Sequence, residues 1–342
     1  VDSPPTDNRT DFELHPQMLL TRTGEKLVAV LKATFELVPE TGELVLAPKK
    51  RARPVRMSDE PWGEPEIASI KYPCDLVPTK PGTDVLFVGS AYAPNGEPTP
   101  FFDAYLSVGP VKKAIRVSGL RVWESSGAGL SSPRPLTSLE VRYDFAWGGI
   151  DQAEDGRLAE EPRNPVGRGI AVSPSSLTHQ QGPQIEDPDN LIRSFKTAPQ
   201  PVSLGPTGRN YAPRRSLSGT FDESWKELRS PLPPLDEQDG FYTYASPGLL
   251  AVPFLIGDEV CALLNLVPQG AVRFALPGVR PEFEFRAKRR SPETVRPPLD
   301  TVIIDSTSME EGGPLTVELV WRASVPAPRK MKDSLLIVKE LV

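Results

Sequence analysis

Apolar residues in this chain come in bursts of strand length, each closed by glycine, proline or asparagine. Lys26 to Leu37 is dense in apolar side chains, Val28, Val30, Ala33 and Phe35 among them, and reads as a mostly buried strand. Pro39 to Gly42 supplies turn chemistry and Leu44 to Leu46 begins a return strand, so a hairpin is expected there. Asp84 to Ala91 is a second apolar run. It ends in Tyr92-Ala93-Pro94-Asn95-Gly96, where Asn-Gly suits the positive φ angles of a tight turn. Phe101 to Val108 alternates and places Phe102, Ala104, Leu106 and Val108 on one face. Gly109-Pro110 turns the chain into Val111 to Val117. Leu120 to Trp123 and a long strand over Leu136 to Trp147 are expected next. Past Gly240 the bursts resume at Phe241–Ala245, Leu249–Ile256, Val260–Val267, Val272–Leu276, Glu282–Ala287, Thr301–Asp305, Leu315–Ala323 and Ser334–Leu341. Successive strands joined by short turns make antiparallel meanders. The expected fold is all-β, a sandwich or barrel-like body with long irregular loops and one or two short helices. One region of 342 residues is expected, with a β meander over 20–147, a loop-rich segment over 148–240 and a second meander over 241–342.

Composition agrees with that pattern. Proline accounts for 40 residues, more than twice the usual ~5 %, and it removes ladder donors and stops helices. A net charge of −6 gives no general reason to bind nucleic acid. The basic clusters Lys49–Arg56 and Lys288–Arg290 carry no interleaved aromatics and read as solvated loops. Cys74 and Cys261 belong to no Cys-x-x-Cys motif, so two free, buried thiols in a reducing cytoplasm are expected. No stretch approaches the ~18 apolar residues of a membrane span, and the N-terminus lacks the basic-then-apolar order of a signal peptide. A cytoplasmic location without membrane contact is the expectation.

Catalytic signatures are sparse. There is no Gly-Lys dipeptide for a phosphate-binding loop and no Gly-x-Ser-x-Gly elbow. His15 and His179 stand without a second ligand at metal spacing, so neither a metal nor another cofactor is expected. Glu186, Asp187 and Asp189 form the tightest acidic group, which reads either as a charged turn or as acid-base residues of an unrecognised enzyme.

The segment from Gly148 to Gly240 is too long for an ordinary connection and is read as the recognition region. Within it Asn164 to Gly169 is a stiff loop around one guanidinium, making Asn164 and Arg168 candidate partner contacts, with the Ile185-Glu186 pair beside them. Trp62 lies in a polar loop, where an indole either packs back onto the body or awaits a partner. One short helix is expected where Thr220 and Glu223 have capping-box spacing and Phe221, Trp225 and Leu228 share a face.

Several stretches in order resemble one family. These are Gly89 to Pro94, Val108-Gly109, Arg116 to Gly119 with Arg121-Val122-Trp123, and Tyr143 to Gly149. Asn164 to Gly169, Ile185 to Pro188, Gly219 to Asp222 with Trp225, Gly257 to Glu259 and Phe274 to Gly278 follow. The series, from about Leu20 to Arg322, is similar to a bacterial family (domain of unknown function 2169) encoded beside type VI secretion genes. That resemblance implies a non-catalytic adaptor or chaperone. Such a protein stabilises a secreted effector and helps load it onto the spike, next to the valine-glycine repeat protein or its tip. A fixed structural component of the secretion apparatus is the alternative within the same setting.

Overall fold

A computed structural model describes residues 3–125, 129–288, 290–328 and 330–341. Arg289, part of the second basic cluster, lies outside them. The chain is mainly β, about 40 % strand, and its sheets do not close into a barrel. The largest sheet has seven strands. Its order runs Leu250–Ala251, Thr83–Val88, Leu299–Asp305, Thr316–Pro326, Gly24–Val38 and Glu13–Thr21, with Glu43–Leu46 also on Gly24–Val38. Thr83–Val88 and Leu299–Asp305 run parallel, whereas Gly24–Val38 and Thr316–Pro326 pair antiparallel from Lys26–Pro326 to Glu36–Thr316. Early and late strands are thus interleaved in one sheet.

A five-stranded sheet faces it, ordered Ile185–Glu186, Val111–Ser118, Phe101–Val108, Val260–Leu264 and Ala271–Ala275. A four-stranded sheet of Thr6–Asn8, Ser334–Glu340, Pro281–Ala287 and Glu293–Val295 completes the enclosure. Period-two alternation sends one set of side chains inward. Leu27, Ala29, Leu31, Ala33 and Phe35 meet Phe102, Ala104, Leu106, Ile115 and Val117 in one core, which Phe283, Leu336 and Val338 join. Trp321 is in this core, while Trp123 and Trp147 pack in a smaller cluster with Ala171, Leu177 and Ile192.

Several expected elements are shorter or differently placed. The strand expected over Leu136–Trp147 is broken into Ser138–Glu140, a 3-10 turn at Tyr143–Phe145 and a new strand Trp147–Gln152. The Asn164 side-chain amide donates to the carbonyls of Tyr143 and Trp147 and so holds the chain on either side of the 3-10 turn. Leu249–Ile256 contributes only Leu250–Ala251, because Pro253 has no N–H for a ladder. Phe241 lies in a 3-10 turn, Asp239–Tyr242, instead of a strand. Leu120–Trp123 makes only isolated bridges, at Val122–Gln181 and Trp123–Leu130. The strands after 240 are distributed over all three large sheets and form no single meander. Asn95 and Gly96, at φ 58° and 72°, take the turn conformation that the Asn-Gly pair favours.

Candidate functional site

Three of the segments that carry the family resemblance, Tyr143 to Gly149, Asn164 to Gly169 and Ile185-Glu186, meet in one knot. Trp147-Gly148 lies parallel to Arg168-Gly169, and Ala146 bridges Ile185. Gly148 and Gly149 have φ of 149° and 111°, a backbone region that side chains rarely enter. A Cβ on Gly148 would lie 2.1 Å from the Asn164 carbonyl oxygen. Asn164 has no exposed surface, and its amide donates at 2.9 Å to both Tyr143 and Trp147 carbonyls. Arg168 is half-buried: Nε donates to the Asp144 carbonyl at 2.9 Å, Nη1 to Gln181 at 2.8 Å, and the guanidinium lies 4.7 Å from the Phe145 ring centre. Ile185 is fully buried in the main core. Glu186 is buried too, paired with Arg121 at 2.9 Å and accepting from the Ile192 amide. The knot therefore consumes most of its polar valences internally and fixes the edge of the five-stranded sheet.

Gly148→Ala is expected to cost about 2–3 kcal/mol, because both the φ angle and the Asn164 backbone oppose a methyl group. Gly156, at φ 86° with open space around it, supplies the control. Gly156→Ala is expected to cost about 1 kcal/mol, and urea midpoints of the two variants measure the difference.

Sequence reasoning did not find a second feature, an ionic layer on the outer face of the seven-stranded sheet. Lys32 donates to Asp75 at 2.7 Å and lies 2.8 Å from Glu318. Arg56 grips Glu318 with two hydrogen bonds of 2.5 and 2.9 Å. Arg322 pairs with Asp300 and donates to the Asp75 carbonyl, while Lys80 bonds Asp84 and Thr301. All of these side chains are buried. Burial alone pushes the Glu318 carboxyl upward, but the Lys32 and Arg56 charges outweigh it and hold it at about 2. The layer joins the proline-rich strap (residues 48–82) to the sheet. Arg56, placed by sequence in a solvated basic loop, is one of its buried anchors, and Arg51 pairs with Glu36 of the sheet at 2.6 Å. The available signal was Lys32, Glu318 and Arg322 sitting inside otherwise apolar runs. Trp62, in the same strap, is half-buried and packs beside Tyr72, Val77 and Leu86, with the Lys71 ammonium 4.5 Å from its ring centre.

The third feature is an arm, residues 218–237, whose neck closes where the Gln238 amide donates to Leu217. Thr220 was expected to cap its helix. Instead Asp222 is the cap, accepting from the Trp225 amide at 2.8 Å, and Thr220 donates its hydroxyl to Asp236 at 2.7 Å. The helix Glu223–Leu228 buries no residue. Phe221, which precedes the cap, is 57 % exposed, Leu228 83 % and Leu235 73 %, while Trp225 of the predicted face is half-buried. The arm is nonetheless braced. Trp225 Nε1 donates to the Leu232 carbonyl at 2.9 Å, and the Phe221 and Trp225 rings meet edge to face at 4.7 Å. Arg229 donates to the carbonyl of Arg22, whose own guanidinium bonds the Glu237 carbonyl at 2.6 Å and pairs with Asp239 at 3.1 Å. At the neck a cavity of about 340 Å³ is lined by Tyr143, Tyr211, Pro213, Leu217, Pro247 and Leu250, among others.

Of the acidic trio, Glu186 is committed to Arg121, while Asp187 accepts from the Asp189 amide in an exposed turn. None of the three lines that cavity. Among the described residues no group of three His, Cys, Asp or Glu side chains is placed to hold a metal ion. Cys74 and Cys261 are buried free thiols, and burial pushes Cys261 up to about 12. No helix among the described residues is long and apolar enough to cross a membrane.

These features define a scaffold of packed β-sheets that carries a braced arm with exposed apolar side chains. Residues 22–322 match the model of a family described as an uncharacterized protein conserved in bacteria, DUF2169, and the chain belongs to that family. No curated protein and no solved structure matches it.

Proposed function

We propose that this chain is a non-catalytic adaptor that holds a secreted effector protein and helps load it onto the spike of a type VI secretion apparatus. The secretion setting comes from the resemblance of the ordered motifs. The observation that carries a binding role is the arm, which holds Phe221, Leu228 and Leu235 exposed on a hydrogen-bonded backbone. Leaving large apolar side chains exposed while bracing the backbone around them suits a surface that a partner covers. The bracing lowers the ordering cost of association. Arg168, with Nη1 toward the surface, is a secondary contact candidate.

The test is recovery of the chain from its native host with mass spectrometry of what co-purifies, followed by a Leu228→Ala/Leu235→Ala variant, which leaves the Phe221–Trp225 contact in place. The variant is expected to keep its melting temperature, since neither residue packs on the body, and to lose the co-purifying protein by about thirtyfold in affinity. Unchanged capture by the variant would place docking elsewhere.

A further inference from the structure

We propose that the cavity at the neck of the arm binds a small carboxylate with an apolar body. The cavity measures about 340 Å³, and Pro201, Leu217 and Leu250 give it an apolar wall. None of Phe221, Leu228 and Leu235 lines it, so the site stands apart from the exposed side chains of the arm. Its charge is one-sided. Arg163 and Arg214 line it, and among the described residues no aspartate or glutamate does. Arg163 is balanced by Glu161. Arg214 is buried and enters no ion pair among the described residues; its guanidinium donates to the carbonyls of Thr207 and Phe241 and lies 3.9 Å from the Tyr244 ring centre. Asp84, whose charge reaches it, is already bonded to Lys80. A second cation stands behind the same wall. Lys113 donates to Ser246 Oγ at 2.8 Å and to the Pro247 carbonyl at 2.7 Å, both residues of the lining, and it too enters no ion pair among the described residues. Burial pulls its ammonium down to about 7, against the opposing charge of Asp187. Two hydroxyls are also left over. Tyr211 and Thr243 line the cavity and are buried, and neither Tyr211 Oη nor Thr243 Oγ1 has a hydrogen-bond partner among the described residues. Buried hydroxyls without partners are costly to keep, and a carboxylate offers them acceptors as well as a counter-charge to the two cations. A neutral apolar ligand would fill the same space and leave the cations unanswered, and a cationic one would be repelled.

The probe is octanoate, titrated by calorimetry into the full chain, with octanamide as its uncharged counterpart. Octanoate is expected to bind at a single site and at least about tenfold more tightly than octanamide. Thr243→Val and Tyr211→Phe each remove an unpartnered hydroxyl with little change of shape, so without ligand both variants should melt as the wild type does. Together they should weaken octanoate by about tenfold. If the double variant does not melt cooperatively, the single variants carry the same comparison, each with an expected loss of about threefold. Equal binding of acid and amide would overturn the proposal, as would full affinity in the hydroxyl variants or no binding of either probe. A tripeptide ending in leucine, titrated as acid and as amide, identifies the source of the carboxylate. Tighter binding of the tripeptide acid than of octanoate assigns the site to the C-terminus of a partner chain, and the reverse order assigns it to a free aliphatic acid; both results uphold the carboxylate site.

Discussion

Glu318→Gln is expected to destabilise the protein by about 3–5 kcal/mol and to lower its melting temperature by roughly 5–10 °C. The carboxylate is completely buried between Lys32 and Arg56, with partners at 2.5 to 2.9 Å. Glutamine keeps the volume but removes the charge, leaving the Lys32 ammonium with Asp75 alone and the buried Arg56 guanidinium with only Glu60 at 3.6 Å. Lys32→Met should cost a similar amount. The double variant should cost clearly less than the two singles together, because once Glu318 is neutral the Lys32 ammonium has lost half its reason to be there. Strict additivity in thermal or urea unfolding would show that the layer is not a coupled network. The pH dependence follows from the depressed carboxyl. Its folded value is about 2, against about 4.3 in an unfolded chain. Its share of stability is therefore fully present above about pH 4.3 and is lost as pH falls toward 2. The gap between wild type and Glu318→Gln should be constant near neutrality and narrow in that acid window.

Ile185→Asp is expected to leave no folded protein. Ile185 has no exposed surface, pairs with Val117 at the edge of the five-stranded sheet and bridges Ala146 of the motif knot. A carboxylate there has no cation and no water, and the cost exceeds about 4 kcal/mol. Expression in the insoluble fraction, or a chain without a cooperative transition, is the expected observation. Arg168→Ala behaves differently. It removes hydrogen bonds to Asp144 and Gln181 at the edge of the knot, for about 1–2 kcal/mol, and a folded variant remains. Partner capture can therefore be assayed with Arg168→Ala, while loss of capture in Ile185→Asp would report only unfolding. A stable, soluble Ile185→Asp chain would contradict the placement of this residue in the core.

The family signature and the arm illustrate how differently sequence signals were used by the fold. Trp147-Gly148-Gly149 and Asn164 to Gly169 drew attention as a possible recognition loop because glycine, proline and a lone arginine often mark exposed functional loops. Their glycines are there for close approach: Asn164 sits where Gly148 would place a Cβ, and the Asn164 amide replaces a strand as the partner of two carbonyls. The spacing of Phe221, Trp225 and Leu228, by contrast, correctly gave a short helix, although Phe221 lies ahead of its cap, Asp222. It could not say that the helix would bury none of its residues.

The sequence by itself determined the β class, many of the strand positions and the inward face of Phe101–Val108, because side-chain period and turn chemistry are local properties. Only the tertiary structure decided which strand lies beside which, since pairing Gly24–Val38 with Thr316–Pro326 spans nearly the whole chain and no local pattern encodes it. The same long-range pairing creates the ionic layer. Lys32 and Glu318 are ordinary charged residues until two distant strands and a proline-rich strap bring Asp75 and Arg56 onto them and exclude water. Burial and charge pairing are properties of assembled neighbours, and that is where the sequence stopped and the fold began.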